Sequence, residues 1–358
     1  MLRMASFLAL LVAFSTSAAP LTVEEAQKGW ISLFDGESTY GWKVEGDAVV
    51  KDGKLIIGGE KESKITSTTV FDTFDLQFDF ESGGTGQLRA AGANRGLVQL
   101  QQGQLHIANF KVEREGDSQD LDFTVKTDMG DFMNFQSFRA PPERHPIVFT
   151  VPAGKKLVLT RVQIQPLALK SIFNGKDLTG WKIFPDRKSK FVVTPEGAIN
   201  VKDGPGDLQT VDQYGDFILQ LECISNGEYL NSGIFFRGIP NEYQQGYEAQ
   251  IRNQWVEKDR NKPVDFGTGA IYRRQPARKV VSNDKEWFTM TLIVHGNHMA
   301  TWVNGYQVAD FFDDRPEADN GRKGTKLGKG VISIQGHDPT TDLSFRNLKI
   351  VELPPAKK

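Results

Sequence analysis

Apolar and polar positions alternate with period two along most of the chain, in short runs broken by Gly, Asn, Asp and Pro. Side chains at that spacing fall on opposite faces, so the runs predict β-strands rather than helices. The clearest are Phe191–Val193, Phe217–Ile224, Ser232–Arg237, Tyr247–Ile251, Phe288–His295, Met299–Val303, Gln307–Phe312, Gly330–Gln335 and Leu343–Val351. Gly296-Asn297 and Asn304-Gly305 stand between adjoining runs, and such pairs favour tight hairpin turns. Many short strands with turn signals between them predict an all-β chain built as two-sheet sandwiches. Residues 21–29 read as a short helix or linker. Segments 111–145 and 254–286 are charged and irregular, and read as long loops over the sheets.

The pattern occurs twice. Phe34, Gly36, Gly41, Trp42 and Lys43 recur at the same spacing as Phe173, Gly175, Gly180, Trp181 and Lys182. Phe74–Asp79 aligns with Phe217–Glu222, Asn94-Arg95-Gly96 with Asn231-Ser232-Gly233, and Leu157–Ile164 with Leu343–Ile350. A repeat of this length predicts a duplicated domain. The expected boundaries are 30–168 and 169–354, with the first copy lacking an equivalent of residues 253–275.

The 358 residues suit two domains, and 39% hydrophobic content supports buried cores. A net charge of −2 excludes the broad basic surface that nucleic-acid binding needs. Residues 1–19 form an export signal pattern: Arg3, then the apolar run Ala5–Phe14, then Ser17-Ala18-Ala19. No later run is long enough to span a membrane. Cys223 is the single cysteine, so no internal disulfide is possible and no lipid-anchor cysteine follows the signal. A periplasmic or secreted protein without a membrane anchor is expected.

One stretch breaks the usual division of faces. Asn231, Gly233, Phe235 and Arg237 share one side of a strand, and Glu248, Gln250 and Arg252 share one side of the next. Arg, Glu and Gln beside aromatic residues suit a binding groove; a solvated outer face would carry the same pattern. Taken with Thr268–Tyr272, Trp287, Gln335, His337 and Phe345-Arg346-Asn347, the order of motifs resembles the 3-keto-disaccharide hydrolases, or 3-keto-glycoside hydrolases and lyases. The resemblance spans nearly all of 169–354 and extends weakly over 30–168. It implies a concanavalin A-like, glucanase-type jelly-roll β-sandwich in each copy and a carbohydrate partner, an oxidised disaccharide or glycoside. Two positions depart from the family pattern. Arg252 and Asn253 follow the Tyr247–Ile251 run where an acidic residue is common, and Asp338 follows His337 where glycine is common.

The chemistry that the resemblance implies is elimination. A ketone at C3 acidifies the C2 proton, a base removes it, and the enolate expels the glycosidic oxygen from C1. Adding water completes a net hydrolysis. The site then needs a base, an acid for the leaving oxygen, and a cation or donors beside the enolate. Glu248 and His337 are the candidate bases, and Arg237 the candidate cation. Asn231, Gln250 and Gln335 are candidates for reading hydroxyls, and Tyr272 and Trp287 for stacking on a ring. Glu222 is placed beside Arg237, as substrate contact or as counter-charge. His295 and His298 flank a turn and are expected on the surface. The five histidines show no zinc spacing, so no cofactor is expected. The acidic run Asp310–Asp319 leaves calcium open. Arg273, Arg274, Arg278 and Lys279 form a basic cluster that the acidic run would face. A non-catalytic carbohydrate-binding module remains the alternative, because such sandwiches serve both roles.

Overall fold

The computed structural model describes residues 21–82, 86–90, 93–97, 105–115, 118–127, 130–135 and 144–354. The expected export signal lies outside the described residues. The chain is nearly all β, as the period-two pattern predicts. Val23–Gln27 is a short helix, capped by Thr22 and Glu25 bonding reciprocally. No helix among the described residues is long and apolar enough to cross a membrane.

Four antiparallel sheets make up two sandwiches, each an eight-stranded sheet packed on a five-stranded one. In the second sandwich the eight-stranded sheet runs Lys190–Val193, Ile199–Lys202, Asp342–Glu352, Phe217–Ser225, Phe288–His295, His298–Val303, Tyr306–Phe312, and Lys170–Ser171 joins it on Asp342–Glu352. Its five-stranded sheet runs Trp181–Ile183, Gly206–Thr210, Val331–Gly336, Ser232–Gly238, Tyr247–Ile251. The first sandwich has the same order of strands, its five-stranded sheet running Trp42–Glu45, Ser63–Phe71, His145–Val151, Gly86–Ala90, Ala93–Leu97. Among the described residues, each sheet takes its strands from one half of the chain. Asn304 and Gly305 both take positive φ, as the predicted hairpin requires.

Alternation explains how the layers pack. On Phe217–Ser225, Phe217, Leu219, Leu221 and Cys223 enter the second core. Ile218, on the opposite face, joins Ile293, Ala300 and Trp302 in the core of the first sandwich. The second sandwich thus presents the outside of its large sheet to the first. Trp302 Nε1 donates to the Ser32 carbonyl at 2.8 Å. Arg278 pairs with Asp35 at 2.7 Å and lies between the rings of Tyr40 and Tyr306. Lys279 pairs with Glu37.

Several expectations change. Arg278 and Lys279 face the first sandwich, not the acidic run. Leu105–Glu115, Ser118–Thr127 and Gly130–Phe135 are strands where a loop was expected over 111–145. Charged residues interleaved with Val112, Leu121, Phe123 and Val125 mask that alternation. His298 is buried, with Nε2 against Asp310 at 2.6 Å and Nδ1 against His295 Nε2 at 2.9 Å, so it is not a surface residue. Burial and the neighbouring His298 push the His295 pKa down to about 3, which keeps that imidazole neutral. By position in the sheet, the counterpart of Ser232–Gly238 is Gly86–Ala90. Asn94–Gly96 lies on the edge strand that corresponds to Tyr247–Ile251, so the aligned Asn-x-Gly motifs occupy different strands.

Candidate active site

The outer face of the second five-stranded sheet is polar and buried. Two rows of side chains cross it. Asp207 pairs with Gln335, and Gly233 with Gln250; Gln209 pairs with Ser333, Ser333 with Phe235, and Phe235 with Glu248. Their neighbours Leu208, Ile334, Ile234 and Ala249 point the other way, into the core. Two loops raise walls around this floor. Residues 269–272 bond to the free edge of Tyr247–Ile251: Gly269 N donates to Gln250 O at 2.8 Å, and Tyr272 N to Glu248 O at 2.9 Å. The loop carrying Gly321 and Arg322 forms the other wall, with the Arg322 guanidinium 5.4 Å from the centroid of Phe235.

Glu248 lies at the bottom of a pocket of about 220 Å³, lined also by Tyr272, Arg273, Arg274 and Arg322. It is 6% exposed. Burial is the main cause that pushes its pKa up to about 8; Asp265 and Asp207 add to the rise, while Arg322 and Arg273 pull against it. A carboxyl tuned to that range both accepts and returns a proton near neutral pH.

Gly233 explains one motif. A Cβ at this position would stand 2.5 Å from Glu248 Oε1, so the carboxyl lies across the bare backbone. We expect Gly233→Ala to displace the carboxyl; if that carboxyl is a reacting group, misplacement of this kind lowers kcat by about 10–100-fold. The backbone there does not need glycine's left-handed φ, so circular dichroism and melting temperature should stay close to the parent's.

Of the residues proposed from the sequence, Glu248 and Tyr272 line the pocket, while Gln250 and Gln335 lie on the same sheet face beside it. Gln250 Nε2 and Asn231 Nδ2 both donate to Asp265 Oδ2, at 3.0 and 2.8 Å. Gln250 Oε1, Gln335 Oε1 and Asp207 Oδ1 are buried on this floor with no hydrogen-bond partner. Buried polar atoms without a partner are rare in a folded chain, and three on one sheet face mark it as more than a packing surface.

Four candidates lie elsewhere. A bulge after Phe235 and the positive φ of Arg237 turn that side chain out of the alternation. It is 0% exposed and donates to Gly215 O, Gly296 O, Lys326 O and Asp216 Oδ1. Glu222 is on the outer face of the large sheet, bound to Arg346 at 2.7 Å and Asn347 at 2.5 Å, and does not neighbour Arg237. Trp287 joins that cluster, its ring 4.0 Å from the Arg346 guanidinium. His337 follows Val331–Gly336 in a turn, its side chain 41% exposed and its Nδ1 2.8 Å from Asp338.

Sequence reasoning missed Asp207, Gln209, Asp265 and Arg322. Asp207 and Gln209 alternate with Leu208, a strand signal too short to stand out between Gly206 and Thr210. Asp265 and Arg322 come from irregular loops, where spacing gives no direction. Among the described residues no group of three or more His, Cys, Asp or Glu is placed to hold a metal ion. Asp313, in the acidic run, is engaged by Arg315 and by the Tyr247 hydroxyl.

A profile of the 3-keto-alpha-glucoside-1,2-lyase-like domain matches residues 29–127 and 168–351. The chain belongs to this family. No curated protein matches the chain. Among solved structures, a candidate glycosyl hydrolase of Parabacteroides distasonis ATCC 8503 is 24% identical, with a TM-score of 0.42 over 52% of this chain and 94% of its own. The carbohydrate-binding module CBM66 of Bacillus subtilis is 15% identical, with a TM-score of 0.35 over 47% of this chain and 93% of its own. A β-1,3-1,4-glucanase (lichenase) derived from a mouse hindgut metagenome is 12% identical, with a TM-score of 0.33 over 49% of this chain and 93% of its own. The match to the family falls on both sandwiches. The pocket around Glu248 belongs to the second.

Proposed function

We propose that the second sandwich cleaves the glycosidic bond of 3-keto glycosides by elimination, with Glu248 as the base. The observation that carries this is the buried Glu248 carboxyl, held across Gly233 with its pKa near 8. Glu248 takes the C2 proton, and the C–H electron pair moves toward the C3 carbonyl to give an enolate. Arg322, over Phe235 on the groove floor, replaces Arg237 as the cation beside that oxygen. The enolate collapses to a C1–C2 double bond and expels the glycosidic oxygen. The Glu248 proton passes to that oxygen, releasing an alcohol and a 2-hydroxyglycal-3-ketone. Addition of water across the new double bond completes net hydrolysis. The sugar ring sits in the pocket beside Glu248, and Tyr272 lines its wall.

The edge strand Ala93–Leu97 of the first sandwich carries no acidic residue, so cleavage is assigned to the second alone. In the same reading, residues 1–19 direct export, 30–168 and 169–354 are duplicated domains, and the substrate is met outside the cytoplasm. Incubation with 3-keto and unmodified disaccharides, followed by chromatography of the released sugar, tests the chemistry. Release from the 3-keto substrates alone is expected. If neither is cleaved while both bind, the groove is a carbohydrate-binding site without catalysis.

A further inference from the structure

Three arginines and the Glu248 carboxyl line the pocket, and among the described residues none of the three arginines is in an ion pair. Arg274 donates to the carbonyls of Arg273 at 3.1 Å and Arg322 at 2.9 Å, which ties the two walls together. Arg322 donates from Nε to Gln244 O at 2.8 Å. The Arg273 guanidinium lies 5.3 Å from the centroid of Tyr272. Among the described residues, none of the three pairs with a carboxylate, whereas Arg315 close by is paired with Asp313 and Arg346 with Glu222.

A guanidinium only donates hydrogen bonds, and its fork matches carboxylate, sulfate and phosphate. An uncharged sugar offers such groups single hydroxyl and carbonyl acceptors, but not the charge-assisted bidentate partner that fits the fork. One cation suffices for the single charge of an enolate, so the elimination does not itself require Arg273 or Arg274 as further cations. The floor differs from the wall: Asp207 Oδ1, Gln250 Oε1 and Gln335 Oε1 are unpaired acceptors. Those acceptors are buried in the sheet face, whereas the guanidinium groups of Arg273, Arg274 and Arg322 line the pocket itself.

We propose that the pocket takes an acidic glycoside, with a carboxylate, sulfate or phosphate of the substrate seated against Arg273 and Arg274 while the reacting ring lies beside Glu248. This rests on the proposed function for the position of the reacting ring. The anion subsite itself rests on the arginines alone.

The two are separated by measuring binding apart from turnover. Calorimetry on the full chain compares methyl glucoside with methyl glucuronide and with the 6-sulfate and 6-phosphate of methyl glucoside. At least one acidic ligand should bind about 10-fold or more tightly than the neutral one, as a charge-assisted bidentate contact provides. The identity of that ligand selects among the three anions. Its advantage should shrink as NaCl rises, because the contact is solvent-exposed and screened, and it should disappear in Arg273→Gln. Equal affinity for the neutral and all acidic ligands overturns the proposal. So does a preference that neither salt nor Arg273→Gln reduces. Cleavage of 3-keto substrates is assayed separately. If no 3-keto substrate is cleaved but the anion preference holds, the elimination chemistry falls and the anion subsite stands. If 3-keto glycosides are cleaved with no anion preference, the opposite follows.

Discussion

Glu248→Gln should lower cleavage of a 3-keto glycoside by about 1,000-fold or more and, above pH 8, make the protein more stable than the parent. The loss of rate follows because the amide is no base, and general base catalysis typically contributes about 100–10,000-fold. The gain in stability follows from linkage. Burial raises the folded pKa from 4.5 to about 8. Below pH 4.5 the carboxyl is neutral in both folded and unfolded chains and the shift has no effect on stability. Between those values the folded protein holds a proton that the unfolded chain has released, so stability falls as pH rises. Above pH 8 the charged carboxylate stays buried and the loss is complete, on the order of a few kcal/mol at about 1.4 kcal/mol per unit. The amide avoids this loss. Melting curves of parent and variant should coincide near pH 4 and separate by several degrees near pH 8.5. The parent's kcat/KM should rise with an apparent pKa near 8 as the base form accumulates. Coincident melting curves at pH 8.5 would show that Glu248 is not held at a destabilising cost, and cleavage at the parent rate would show that it is not the base.

That coupling explains why part of the site was legible in the sequence. Buried polar residues at period two conflict with a hydrophobic core, and such conflict marks functional sites. Glu248, Gln250 and Gln335 stood out for that reason, each on a strand whose alternate positions are apolar. Arg237 shows the limit. It obeys the alternation in sequence, but the bulge adds a residue and rotates it off the groove face. A register shift of one residue exchanges the faces of a strand, and periodicity alone does not reveal where it occurs. Glu222 and Arg237 were set together because both strands read as neighbours; they lie in different sheets. The walls of the pocket were not legible for another reason. Arg273 and Arg322 are brought to Glu248 by loops that are 49 residues apart in sequence and cross only in the folded chain. Strand content was easier to read, because alternation is local. It failed over 111–145, where charges on both sides of the apolar positions hid the runs.

Arg237→Met should be the most damaging single change for folding, with no loss specific to the chemistry. The guanidinium fills four tasks at once, with Nε on Gly215 O at 3.0 Å, Nη1 on Gly296 O at 2.7 Å and Lys326 O at 2.6 Å, and Nη2 on Asp216 Oδ1 at 2.8 Å. Methionine fills much of the space but donates nothing. It leaves three carbonyls without that donor, and Asp216 with Arg144 and the Gly296 amide as its remaining partners. Removing one member of a buried ion pair costs roughly 3–5 kcal/mol, because the other charge stays uncompensated. Lysine should recover only a fraction, since a single ammonium cannot serve four acceptors in the directions of the planar fork. Urea unfolding should show a lower midpoint for both variants, with methionine the lower of the two. Turnover per folded molecule, at a temperature where the variant is still native, should remain near the parent's. If Arg237→Met unfolds at the parent midpoint but loses turnover, the side chain acts at the groove and not beneath it. The same cluster joins the two halves of the chain: Arg144 leads into the strand His145–Val151 of the first sandwich and meets Asp216, just before Phe217–Ser225 of the second, at 2.5 Å. Loss of Arg237 should therefore weaken packing between the sandwiches as well as within the second. Hydrogen exchange should record this as faster exchange at Trp302 Nε1, which donates to Ser32 O across that interface.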